Sequence, residues 1–200
     1  MPNLSVSVAL LAAVAMAGLA CGGSGSNSST ATDTSSATQT TNTSATAATA
    51  GGSDESDYFT QLASIFAGGQ TGSDDANSKL NNDLSSAQTV DENRAAINTF
   101  LDSMIGVFST AITRMQALNP PADARDAHNK FLQDVQKAQT KSSDLKVQLA
   151  NAITTAEFST IVNTFNTQVE AFVSDANVAC VALQDLDNQR GANVDLSCSR

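Results

Sequence analysis

Few side chains in this sequence can do chemistry, so the spacing of each can be weighed. His128 is the only histidine, and any triad or general-base site would have to be assembled around it. It sits one turn before Phe131 on an apolar stripe. The spacing favours a partly buried imidazole that hydrogen-bonds backbone from a neighbouring loop; the functional alternative is contact with a small molecule or metal ion held between helices. Cys180 and Cys198 form a second pair of reactive groups near the C-terminus. They can make a disulfide, contribute to a metal site or remain free thiols, and no third or fourth soft ligand accompanies them, which favours the disulfide.

Other chemistries fail on the residue inventory. A carboxylate-bridged di-iron bundle needs Glu three residues before each ligating His, and Arg125 holds that place before His128. Haem attachment through C-x-x-C-H is absent, and Met104 and Met115 at seam positions read as core filler rather than axial ligands. No G-x-S-x-G elbow, phosphate loop or dinucleotide fingerprint occurs. Asp185, Asp187 and Gln189 are spaced like the first ligands of a calcium loop, but Arg190 stands where Gly is required and Leu196 where a bidentate Glu is required. The acidic groups Asp54, Glu55, Asp57 and Asp74, Asp75 read as negative charge favouring helix starts. No catalytic residue, cofactor site or metal site is therefore assigned. The net charge of −10 disfavours a DNA or RNA partner. Lys130, Lys137, Lys141 and Lys146 make one basic face, expected to be solvated, and the one place where an anionic ligand could be met.

The elements that must position these groups are helices. Ala124, His128, Phe131, Val135, Ala138, Ser142, Leu145, Leu149 and Ala152 recur at steps of four and three. Phe158, Val162, Phe165, Val169, Phe172, Ala176, Ala179, Leu183 and Leu186 repeat the rhythm. Each stripe is the seam of a helix packed lengthwise on others. Thr89 with Glu92, and Thr154 with Glu157, are capping boxes that set helix starts near Val90 and Thr155. Asn119-Pro120-Pro121 supplies a cap and first turn, and Gly191 an end. The helices are predicted at 54–88, broken near 68–73 by Gly68-Gly69-Gln70-Thr71-Gly72, then at 90–118, 120–153 and 155–190, with a tail at 191–200. Short connections between long helices imply an all-α, antiparallel up-down four-helix bundle over 54–200.

From Cys180 the last helix rises about 16 Å to Gly191, and the chain beyond can return roughly 23 Å, so a bridge to Cys198 is geometrically allowed. By loop entropy it would contribute about 3 kcal/mol. It would fold Val194 and Leu196 against the bundle end. The stretch LNPPADARDAHNKF and the C-terminal ACVALQDLDNQRGANVDLSC are similar to uncharacterised helical proteins exported by bacteria. That resemblance implies a bundle and a cysteine pair, and no activity.

The N-terminal 53 residues carry an address. An apolar run from Leu4 to Leu19 is too short for a comfortable membrane span and ends at Cys21. Residues 22–53 are almost wholly Gly, Ser, Thr, Ala and Asn, with Asp33 the only charge, and cannot bury enough to offset the entropy of ordering. This order of segments resembles the lipobox region of bacterial lipoproteins: signal peptide 1–20, lipidated Cys21 and a disordered linker over 21–53. Gly18 and Ala20 also suit an ordinary secretory peptidase, so a secreted soluble protein is the alternative. The function expected is that of a lipid-anchored, non-enzymatic module of the bacterial cell envelope, meeting the membrane through its anchor and an unidentified envelope protein. The alternative is a ligand-binding protein holding a small molecule or metal ion near His128.

Overall fold

The computed structural model describes residues 52–198, so the expected signal peptide, Cys21 and nearly all of the expected linker lie outside the described residues. Helix α1 spans Gly52–Ser86, α2 Val90–Gln116, α3 Arg125–Asn151 and α4 Thr155–Arg190. No strand occurs among the described residues.

Two helix starts are fixed by side chains close in sequence. The Thr89 Oγ1 accepts from the Glu92 N–H at 3.2 Å, and the Glu92 carboxylate accepts from the Gln88 and Thr89 N–H groups at 2.7 and 2.8 Å. Thr154 and Glu157 repeat the arrangement at α4. Orphan amides of each first turn are thereby satisfied, and α2 and α4 begin at Val90 and Thr155 as expected. At the other end of α4, Gly191 takes the left-handed conformation (φ 73°) that closes a helix without a Cβ penalty.

The expected break at 68–73 does not occur, and α1 runs through it as one helix. A glycine costs about 1 kcal/mol in a helix by intrinsic propensity, but here the glycines face a neighbour. A Cβ added at Gly72 would lie 2.6 Å from Val107 Cγ2, so the bare backbone lets α2 approach. Gln70 Nε2 also donates to Asp74 across one turn at 2.8 Å. Asp74 and Asp75 consequently lie in mid-helix rather than at a helix start. The third helix begins at Arg125, five residues later than expected. A residue before proline avoids the α region, which keeps Asn119 and Pro120 out of a helix, and Pro121 to Ala124 forms a turn closed by a 3.0 Å bond from the Ala124 N–H to the Pro121 carbonyl.

Helix α1 packs on α2, α2 on α3 and α3 on α4, whereas α4 and α1 make no comparable backbone approach. Two side-chain clusters close the interior. One, at the cysteine end, joins Tyr58, Phe59 and Leu62 to Met115, Phe131, Cys180, Leu183 and Leu196. The other, at the capped end, joins Leu80, Ile97, Leu101 and Met104 to Leu145, Leu149, Phe158 and Val162. Full burial of a Leu or Ile stabilises by about 1.5–3 kcal/mol, so these layers carry the fold. Helix α2, long and apolar enough to cross a membrane by length and composition, buries Ile97, Phe100, Leu101, Met104 and Met115 against its neighbours.

Candidate functional site

His128 lies in the first turn of α3 and is almost fully buried. Its Nδ1 is 3.1 Å from the Tyr58 hydroxyl of α1, and its ring hydrogen-bonds the Met115 backbone near the end of α2. A neutral imidazole has one N–H. That N–H goes to the carbonyl, leaving Nδ1 to accept from Tyr58. Burial lowers the His128 pKa and raises that of the Tyr58 phenol. The backbone partner comes from a helix rather than a loop, and the pair ties three helices together. Neither side chain lines the two spaces described below.

Cys180 and Cys198 stand at disulfide distance, with Cα atoms 5.6 Å apart. The tail they fix is also held by two side chains of α4. Gln184 donates to the Val194 carbonyl at 2.8 Å and accepts from the Leu196 N–H at 2.7 Å, pairing with the tail as a strand would. Asp187, completely buried, accepts from the Val194 N–H at 2.8 Å, and its burial raises its pKa despite that bond. Asp185 and Asp187 lie on a helix that continues to Arg190. At 100° per residue they diverge instead of converging on a cation.

The lysine face is neutralised. Lys130 pairs with Asp134 and Asp175, Lys137 with Asp134, Lys141 with Asp144 and Lys146 with Asp102. The Asp134 bond raises the Lys130 pKa. An anion meeting this face would find each ammonium already engaged.

The most informative space lies elsewhere. Between the two clusters is a cavity of about 110 Å³, lined by apolar groups such as Phe66, Phe100, Met104, Phe131 and Phe172. Each helix contributes a small residue to its wall: Gly69, Ala111, Ala138 and Ala176. Where all four helices lack a large side chain, the seam cannot fill its own axis. Three polar residues interrupt the lining. The buried Asp134 carboxylate is held by Lys130 and Lys137. Ser142 Oγ donates to the Ala138 carbonyl at 2.9 Å. Ser73, fully buried, has an Oγ with no hydrogen-bond partner. A hollow of about 280 Å³ on the α1–α2 face, bordered by Gly68, Gly106 and Arg114, shares Ile65, Gly69, Val107 and Ala111 with this cavity.

No family model, curated protein or solved structure matches the chain.

Seam periodicity places Phe131, Val135, Ala138, Ser142, Val169, Phe172 and Ala176 on inward stripes, but treats every seam position as filled core. The missed signal is that small residues on all four helices line one cavity. Reading it requires the inter-helix register.

Proposed function

We propose that this chain is a lipid-anchored, non-enzymatic helical-bundle protein of the bacterial cell envelope that holds a small apolar molecule between its helices. The observation that carries the binding part is the apolar cavity between two closed clusters. A preformed apolar space with a few placed polar groups is the usual form of a small-molecule site. The cavity borders Phe131 and Asp134, so the binding place is moved one to two turns from His128, whose bonds to Tyr58 and Met115 suit it to joining helices.

The address rests on the leader, Cys21 and the linker. Cysteines placed to bridge agree with an oxidising compartment outside the cytoplasm. We read the topology as antiparallel up-down. Arg114, late in α2, reaches Ser64 in the first half of α1. Arg94, early in α2, reaches the Ala152 carbonyl after α3. Arg190, closing α4, meets Asp123 before α3 at 2.6 Å.

Methyl NMR of the full chain titrated with n-octane tests the binding reading. The expected result is shifts confined to Met104, Val135 and Val173, with Val147 and Val178 on the surface unmoved, and loss of those shifts in Ala138→Leu, which fills the space. Uniform small shifts, or shifts that persist in Ala138→Leu, would defeat it. For the anchor, the intact mass of membrane-fraction protein should lack residues 1–20 and carry acyl chains on Cys21; an unmodified soluble product defeats that part alone.

A further inference from the structure

We propose that the cavity's ligand is an uncharged, unbranched hydrocarbon chain bearing one hydroxyl group, and that Ser73 receives this hydroxyl. The inference rests on the reading of the cavity as a ligand site and deepens it. Many serines and threonines in these helices satisfy their hydroxyls by donating back to the carbonyl four residues earlier: Thr71 to Ala67, Ser103 to Thr99, Ser142 to Ala138 and Ser143 to Gln139. Ser73 makes no such bond although it is completely buried and lines the cavity. A buried hydroxyl without a partner is costly, and a ligand hydroxyl removes that cost on binding.

Charge is excluded by the lining. Asp134 is the only ionisable side chain bordering the cavity, and both of its oxygens are taken by Lys130 and Lys137. An anionic ligand would face this carboxylate, and a cationic one would have to displace a lysine. The apolar remainder solvates neither.

Shape selects a chain. The lining runs from Phe131 to Ser142 on α3 and from Phe165 to Ala176 on α4, a length of about 16 Å along each helix, with only about 110 Å³ of space. Lining residues spread over that length around so small a volume suit an unbranched molecule better than a ring system. The polar end is set by register. Gly72 abuts Val107 and Gln139 reaches the Ile105 carbonyl, which puts Ser73 and Ser142 within about one helical turn of the same level. Ser142 spends its proton on Ala138 and keeps lone pairs. Ser73, with its hydroxyl unspent, is therefore the group that receives the ligand hydroxyl.

The experiment titrates the full chain with 1-octanol and with n-octane, followed by the methyl signals of Met104, Val135 and Val173, in wild type, Ser73→Ala and Ala138→Leu. Loss of one neutral hydrogen bond should weaken 1-octanol about five-fold in Ser73→Ala and leave n-octane equal or tighter. Ala138→Leu should weaken both at least ten-fold. Ser73→Ala removes an unpaired hydroxyl, so its melting temperature is expected to equal or exceed that of wild type, and folding does not confound the comparison. Unchanged 1-octanol affinity in Ser73→Ala overturns the assignment while leaving the cavity reading intact. Equal loss of both probes in Ser73→Ala overturns it too, since a merely structural role or a bound water would act on both. Failure of both probes to bind wild type overturns the cavity reading, and this proposal with it.

Discussion

The two ends of the bundle are held by different means. At the capped end, α2 and α4 start on Thr–Glu pairs three residues apart, and below them lies a layer of aliphatic and aromatic side chains. The cysteine end is tied by contacts distant in sequence: Tyr58 to His128, Arg190 to Asp123, and α4 to the tail through Gln184, Asp187 and the cysteine pair. The helix starts of one end are set by local pairs, to which Arg94 adds one bond to the distant Ala152 carbonyl, while most of the ties at the other end join residues farther apart. The difference matters because the cavity between them has to stay open without the bundle fraying. A covalent and polar closure at one end lets the mid-section leave space unfilled.

The largest test of this contrast is the cysteine pair. Cys180→Ser, or reduction of the wild type, should cost about 3 kcal/mol by loop entropy, roughly 10 °C in melting temperature for a domain of this size. Hydrogen exchange should rise at the Val194 and Leu196 amides and leave those of Glu92 and Glu157 unchanged. A melting temperature insensitive to reductant would mean that Gln184 and Asp187 hold the tail alone. Next in size is the capped end. Thr89→Ala and Thr154→Ala should each cost about 1 kcal/mol, about 2 kcal/mol together, in thermal or urea unfolding. Distant, independent sites add. The cap and cysteine variants should therefore sum, and a coupling above about 0.5 kcal/mol would show that the ends are not independent.

The same contrast explains what could be read from the sequence. The capping boxes were legible because donor and acceptor lie three residues apart, and both helix starts fall where those residues place them. The seam was legible because periodicity is local to one helix; Met104 and Met115 are core, as their stripe positions imply. The cysteine pairing could be anticipated because rise per residue bounds the distance. The glycines at 68–72 misled, because their meaning depends on Val107 of another helix. Likewise, nothing local marks Tyr58 as the partner of His128, or Gln184 as the partner of Val194 and Leu196. The cavity was the least legible feature, since Gly69, Ala111, Ala138 and Ala176 matter only together, as walls of one space shared by four helices.

The smallest predicted effect is the response to pH. His128 titrates at the cysteine end, and burial sets its folded pKa below the ordinary 6.5. A histidine with a lowered folded pKa contributes stability that is complete above the unfolded value and is lost as pH falls through it, because the unfolded chain takes up the proton first. Glu92 and Glu157 have folded pKa values lowered from 4.5, chiefly by the backbone N–H groups that their carboxylates accept. Their contribution is present above 4.5 and is lost only as pH falls through the still lower folded values. Asp187 opposes this trend, since burial raises its pKa: its contribution is greatest below the ordinary 3.8 and is lost as pH rises through the raised value. Acidification from pH 7 to 5.5 should therefore cost no more than about 1.3 kcal/mol. That loss should disappear in His128→Gln and persist in Glu92→Gln. Below pH 4.5, Glu92→Gln should flatten part of the remaining slope, to which Asp123, its pKa lowered by Arg190 at the cysteine end, also contributes. Thermal melts of the three proteins across this range would reject the assignment of the loss between pH 7 and 5.5 to His128 if that loss survived in His128→Gln.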